Sequence, residues 1–209
     1  IITGLIESNR GQVLADGVTL TQLSPAWWHK QIIYLPQETM FFSGTIQDNI
    51  LLNNRELPSS AINKILVQSD LKSHIDTSPK GLQTMISQGG QMIPLGIKKR
   101  YAIARSLVTD GQLVIFDEPT EGLDANGQQA VYKLLNHFRD SGKTIIVFSH
   151  DHNILKGAHA VLDLSVKPVP KIVELHQAAV SAKKENGQKS APKNGNNSNE
   201  SKTKKQNRT

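Results

Sequence analysis

Cysteine is absent from the 209 residues. That excludes a disulfide framework, a cysteine-ligated zinc and a thiol nucleophile, and it removes the secreted disulfide scaffolds from consideration. Aromatic residues make up only 5% and hydrophobic residues 37% of the chain, a lean supply for a fully globular protein. No apolar run approaches the ~18–20 residues that a membrane helix needs. The opening Ile1-Ile2-Thr3-Gly4 has no initiator Met and no basic-then-apolar leader pattern, and it reads as the interior of a longer sequence.

Much of the leanness comes from one segment. From Gln177 to Thr209 almost nothing is large and apolar, and Asn, Ser, Lys, Gly and Gln dominate. Burial cannot offset the ordering entropy of such a stretch, so residues 177–209 read as a disordered basic tail. The tail holds Lys183, Lys184, Lys189, Lys193, Lys202, Lys204, Lys205 and Arg208 against Glu185 and Glu200. Its net charge equals the +6 of the whole chain, so residues 1–176 are neutral and the basic balance names no partner for them. The tail suits an anionic lipid or RNA surface, or simply a solvated terminus.

Residues 1–176 read as one α/β domain. Ile1 to Ser8 has apolar residues at helical spacing and predicts the end of a helix. Asp16-Gly17 sits between two short alternating runs and predicts a hairpin. Gln31 to Pro36 predicts a strand that Pro36 ends. Ser43–Leu52 and Ser60–His74 carry helical periodicity, as does a segment from about Ile97 to Val108. Gln112–Phe116 and Thr144–Phe148 are continuous apolar runs, the pattern of parallel strands buried on both faces. The helix expected over Ala125–Arg139 lies between them, which implies a βαβ crossover in a parallel sheet.

The chemistry concentrates where those strands end. Phe116 runs straight into Asp117-Glu118-Pro119-Thr120, and open α/β sheets place ligands at the carboxyl ends of their strands. There Asp117 can hold a Mg²⁺ while Glu118, one residue on, polarises a water. For the tetrapeptide alone, a solvated acidic turn explains the residues equally well. The second strand ends in Phe148-Ser149-His150-Asp151, which brings an imidazole to the same sheet edge. Glu121-Gly122-Leu123-Asp124 lies between the two strand ends. Tyr34-Leu35-Pro36-Gln37-Glu38 and Phe41-Phe42-Ser43-Gly44-Thr45-Ile46-Gln47-Asp48-Asn49-Ile50 lie upstream.

In this order and spacing the segments resemble the nucleotide-binding domain of ABC transporters. FDEP is similar to the Walker B segment with its catalytic glutamate, EGLD to the D-loop (usually SALD), SHD to the switch-histidine loop and LPQE to the glutamine loop. FFSGTIQDNI resembles exporters that carry membrane and ATPase domains on one chain. The resemblance covers Ile1 to about Leu175. It implies a P-loop NTPase-type mixed, mainly parallel sheet with a helical subdomain over about 50–108. It also implies ATP and Mg²⁺ as ligands. Asp117 and Gln37 would hold Mg²⁺ through water, Glu118 would activate the attacking water, and His150 would hold the γ-phosphate end. Asp124 would reach a second ATPase domain in a head-to-tail dimer. A transmembrane domain, N-terminal on the same chain, would complete an exporter of peptide, protein or lipid, with this domain on the cytoplasmic face of the plasma (inner) membrane. No specific nucleic acid is implied.

Two features depart from that pattern. No G-x-x-x-x-G-K-[ST] loop occurs in the chain. Ile1–Ser8 resembles the helix that follows such a loop, so the expectation is a chain truncated just after it and inactive as given. Counting back from Arg100-Tyr101-Ala102-Ile103-Ala104-Arg105, the LSGGQ signature reads Ile93-Pro94-Leu95-Gly96-Ile97. Pro94 replaces the phosphate-binding Ser and offers no N–H. Leu95 replaces a glycine where phosphate must come close. Gly96 and the helix N-terminus remain, with Lys98 and Lys99 nearby. Pro94 also suits the first turn of a helix in its own right. The rival readings are a degenerate half-site in a heterodimer, a non-catalytic interaction domain, and a soluble ABC ATPase acting on DNA or ribosomes. The short, cysteine-free interval from Gln37 to Pro94 argues against the last.

Overall fold

The computed structural model describes residues 1–52 and 56–174. The tail read from 177 to 209 lies outside the described residues. The chain divides into two compact units, Ile1–Leu155 and Lys156 onward. In chain order the strands are β1 (Leu14–Ala15), β2 (Val18–Thr19), β3 (Ile32–Leu35), β4 (Gly44–Thr45), β5 (Met85–Ile86), β6 (Leu113–Asp117), β7 (Thr144–Phe148), β8 (Ala160–Asp163) and β9 (Lys171–Glu174). The helices are α1 (Pro25–Lys30), α2 (Ile46–Ile50), α3 (Ser59–Gln68), α4 (Lys72–Thr77), α5 (Leu95–Ser106), α6 (Ala125–Asp140) and α7 (His152–Gly157).

The first unit is built on a three-stranded parallel sheet in the order β3-β6-β7. Apolar residues fill it because each face is covered. Ile33, Leu35, Val114 and Phe116 point to one side, where they pack with Ala102 and Ile103 of α5 and with Val131, Leu134 and Phe138 of α6. Ile32 and Ile115 point to the other side, against Trp28. A second core lies among the helices, where Phe41, Ile46, Ile50, Ile65, Leu66, Leu71, Ile75 and Ile86 surround Tyr101 and Ala104 of α5. One helix therefore lines both cores.

Local signals explain several of these elements. Asp16 (φ 49°) and Gly17 (φ 83°) both adopt left-handed backbone, the requirement of the tight two-residue turn between β1 and β2. Thr45 caps α2: its Oγ1 accepts from the Asp48 N–H, and Asp48 Oδ2 accepts from the Thr45 N–H. Buried Asn49 is fully engaged, accepting from the Phe42 N–H and donating to the Phe42 and Thr45 carbonyls. That holds the segment after Gln37 onto the helical core.

Four expectations change. Ile1–Ser8 is a succession of turns and bends, not a helix. Gly4 takes φ 77°, its N–H donates to the Ile1 carbonyl at 2.8 Å, and Trp28 Nε1 donates to the Ile2 carbonyl at 3.1 Å. Tertiary anchoring outweighs a short periodic run that cannot nucleate a helix alone. The periodic stretch Ser60–His74 is two helices, α3 and α4, broken at Asp70 (φ 55°). β7 is half-exposed rather than buried, because it forms an edge of the three-stranded sheet. Pro94 stands one residue ahead of α5, at its N-cap, rather than inside the first turn.

The second unit contributes the antiparallel pair β8–β9, with Asp163 opposite Lys171 and Ala160 opposite Glu174. Among the described residues no helix is long and apolar enough to cross a membrane.

Candidate active site

β6 and β7 run parallel with Asp117 beside Phe148, so both strands deliver their polar termini to one edge. There an open cleft of about 470 Å³ is lined by Gln37, Glu118, Thr120, Glu121, Gln128, His150 and Asp151. Three of the residues singled out in the sequence, Gln37, Glu118 and His150, thus meet although they lie far apart in the chain. His150 Nε2 is 3.7 Å from Glu118 Oε1, with the imidazole fully exposed and the carboxylate four-fifths covered. Asp117 stands one residue behind Glu118 at the end of β6 and lies outside the cleft lining.

Glu118 has φ 42°. A β-carbon in the left-handed region costs about 1–2 kcal/mol, and such outliers persist only where surrounding structure imposes them. The Glu118 N–H donates to the Phe148 carbonyl at 2.9 Å, extending the ladder one residue past the strand and fixing the turn. The Ser149 hydroxyl faces Glu118 Oε2 at 3.5 Å. The strained backbone directs the carboxylate into the cleft while Asp117 stays with the strand.

The loop carrying His150 is braced from α6. The Tyr132 hydroxyl donates to Asp151 Oδ2 at 2.6 Å, and the Asn153 N–H donates to Asp151 Oδ1 at 2.8 Å. Burial opposes charge on Asp151, yet the Tyr132 hydroxyl, the Asn153 N–H and the Thr120 hydroxyl hold its carboxyl below the usual range.

Behind the strand ends lies Lys99, 3% exposed. Its ammonium donates to the Gln37 carbonyl at 3.3 Å and to the Asp117 carbonyl at 3.2 Å. Burial lowers its pKa, partly offset by the carboxylates of Glu121, Asp117 and Glu118. Next to it, Arg100 bridges two acids: Nη2 lies 2.9 Å from Asp70 Oδ2 and 2.7 Å from Asp124 Oδ1. Asp124 also caps α6 by accepting from the Gly127 N–H, and that bond, with Arg100, holds its carboxyl below the usual range. Its carboxylate is thus engaged within the chain. Pro94, Leu95 and Gly96 lie at the N-terminus of α5 rather than in the cleft, and Leu95 is 65% exposed.

Sequence reasoning missed Tyr132, Arg100 and the position of Lys99. The basic run Lys98-Lys99-Arg100 was the available signal for the last two. For Tyr132 there was none, since it meets Asp151 only through the fold.

Several oxygen donors, Gln37, Asp117 and Glu118, gather at the strand ends. They suit a hard divalent ion that keeps waters and takes substrate oxygens, which needs only one or two protein ligands. Among the described residues no group of three or more His, Asp or Glu is arranged to hold a metal ion. The G-x-x-x-x-G-K-[ST] motif that would cradle a triphosphate with backbone N–H groups does not occur in these 209 residues.

The family profile described as ABC transporter matches residues 1–121. The chain is 35% identical over 161 residues to the type I secretion system ATP-binding protein PrsD of Rhizobium meliloti, covering 77% of this chain and 28% of that protein. It is 32% identical over 165 residues to antigen peptide transporter 2 of Mus musculus, covering 78% of this chain and 23% of that protein. It is also 32% identical over 160 residues to the mitochondrial potassium channel ATP-binding subunit of Xenopus tropicalis, covering 76% of this chain and 23% of that protein. The chain therefore spans about a quarter of each of these relatives. A bacterial Atm1-family ABC exporter solved with ATP bound superimposes with a TM-score of 0.77 over 91% of this chain and 34% of that chain, at 20% identity. That likeness shows the fold.

Proposed function

This chain belongs to the ABC transporter family, and from that premise we propose that it is the motor portion of an exporter whose hydrolytic base is Glu118. The observation that carries the reading is the convergence of Glu118, His150 and Gln37 on one cleft at the sheet edge, with Glu118 held there by a left-handed backbone. A carboxylate four-fifths covered and 3.7 Å from an imidazole is placed to orient a water and accept its proton. As the water oxygen bonds to the γ-phosphorus, the bond to the ADP oxygen breaks, and the proton passes to Glu118. His150 steadies the phosphate being released. Asp117 and Gln37 are the residues that would hold Mg²⁺ through water; when bound, the ion neutralises developing charge on phosphate oxygens.

The relatives named as a secretion ATP-binding protein and a peptide transporter favour peptide or protein as cargo. Transport requires a transmembrane domain and a second ATPase domain packed head to tail, with this domain at the cytoplasmic face of the membrane. A second reading, a half-site that leans on a partner's signature element, rests on Pro94 and the exposed Leu95 at the head of α5.

The test grafts a strand and a G-x-x-x-x-G-K-S loop ahead of Ile1 to complete the phosphate cradle. In that grafted protein Glu118→Gln is expected to abolish ATP turnover and leave ATP binding intact. Turnover at the parent rate would remove Glu118 from its role. The ungrafted 209-residue chain is expected to bind Mg-ATP weakly and not to hydrolyse it.

A further inference from the structure

We propose that Lys99 is a positioning residue that ties the backbone of Gln37 to the backbone of Asp117, so that the side chains of Gln37 and Glu118 keep a fixed spacing across the cleft. The inference rests on the functional reading above and extends it to a residue that lies outside the cleft lining. Lys99 emerges from the second turn of α5, and only 3% of it is exposed. Removing an ammonium from water costs several kcal/mol, a cost that is offset only by close and well-placed partners. Its two direct partners are backbone carbonyls from separate elements, Gln37 just past β3 at 3.3 Å and Asp117 at the end of β6 at 3.2 Å.

The placement matters because no strand pairing ties these two residues to each other. The β3–β6 register ends at Leu35 opposite Phe116, so Gln37 lies beyond it, and Asp117 is paired only with Phe148 of β7. A polar bridge is needed there if the two are to move together, and the Lys99 ammonium supplies it. An apolar side chain of the same length fills the same volume and joins nothing. Lys99 thus carries the position of α5 to the cleft through two backbone groups.

Hydrogen exchange on the 209-residue chain tests this without nucleotide. In Lys99→Met, peptides covering 36–41 and 117–122 are expected to exchange about tenfold faster, while peptides of α6 are unchanged. Lys99→Gln, which retains a shorter donor, is expected to fall between, and it decides the comparison if Lys99→Met does not fold. Unchanged exchange in both segments overturns the proposal. So does equal acceleration in α6, which would make Lys99 a general support of the fold.

The grafted protein supplies the second arm. There Lys99→Met is expected to lower kcat about tenfold or more with KM for ATP little changed, and its effect combined with Gln37→Ala is expected to be non-additive. Full kcat in Lys99→Met, with Glu118→Gln inactive, overturns the positioning role and leaves the catalytic reading standing. Turnover in Glu118→Gln would instead overturn the catalytic reading, and the exchange measurement would still decide Lys99.

Discussion

Leu95 stands over the bare α-carbon of Gly122: a β-carbon there would lie 2.8 Å from Leu95 Cδ2 and 3.0 Å from Cγ. Gly122 also takes φ 73°, and the β-carbon that Gly96 lacks would meet the Gly122 carbonyl at 3.0 Å. The head of α5 and the turn after Thr120 therefore interlock. The large residue in the signature position is accommodated by the smallest residue in the turn that resembles a D-loop. Gly122→Ala is expected to lower stability by about 1–3 kcal/mol through crowding and left-handed strain. Adding Leu95→Gly should relieve the crowding and leave the strain. Urea unfolding of the four members of that double-mutant cycle measures the difference, and strictly additive losses would show that the two residues do not interact.

The same interlock shapes what happens when the signature is rebuilt. Pro94→Ser with Leu95→Gly restores a hydroxyl, a backbone N–H and close phosphate approach. Charge-assisted hydrogen bonds are each worth roughly 1.5–3 kcal/mol, so two of them raise ATP-dependent dimer affinity by about two orders of magnitude or more. Sedimentation of the grafted protein in the Glu118→Gln background compares the two signatures at matched concentration. Equal dimerisation would show that Gly96 and the helix N-terminus already suffice.

Asp124 predicts an acid-sensitive contribution. Its carboxyl is depressed by the Gly127 N–H and by Arg100. The stability it provides is therefore present above the unfolded carboxyl value and is lost as pH falls below about 4. Asp124→Asn should be less stable at pH 7 and show a flatter decline of the urea midpoint between pH 5 and about 2. A decline parallel to that of the parent would mean that the carboxylate is not coupled to folding.

Tyr132→Phe removes the donor to Asp151 Oδ2. Loss of one such bond costs about 0.5–1.5 kcal/mol, and the Asp151 carboxyl should titrate higher by NMR, since the hydroxyl favours its charged form. In the grafted protein the change should slow turnover less than His150→Ala, because it loosens the loop but leaves the imidazole. An unshifted Asp151 titration would contradict the brace.

Strand positions were legible because QLVIF and TIIVF are apolar runs that stop abruptly at polar residues, and Asp16-Gly17 permits few conformations besides a tight turn. The gathering of Gln37, Glu118 and His150 followed from parallel strands ending at one edge. What stayed hidden was set by partners distant in sequence. Ile1–Ser8 looks helical until Trp28 claims the Ile2 carbonyl, and β7 reads like β6 because alternation cannot distinguish an edge strand rich in Ile and Val. Lys99 sits in a run of three basic residues, and the run alone does not say which of them turn inward. Only the packing of α5 between two cores turns two of the three, Lys99 and Arg100, almost entirely inward.

That placement of α5 has a bearing on how the Ile1–Leu155 unit comes apart. Tyr101 and Ala104 belong to the helical core, while Ala102 and Ile103 belong to the sheet core, so neither core can open without stripping one side of a helix that the other still requires. The two cores cannot melt in sequence as separate cooperative blocks. A single heat-capacity peak is the expected signature, and damage to either core, far from the cleft, will be felt at the strand ends where Lys99 reaches Gln37 and Asp117.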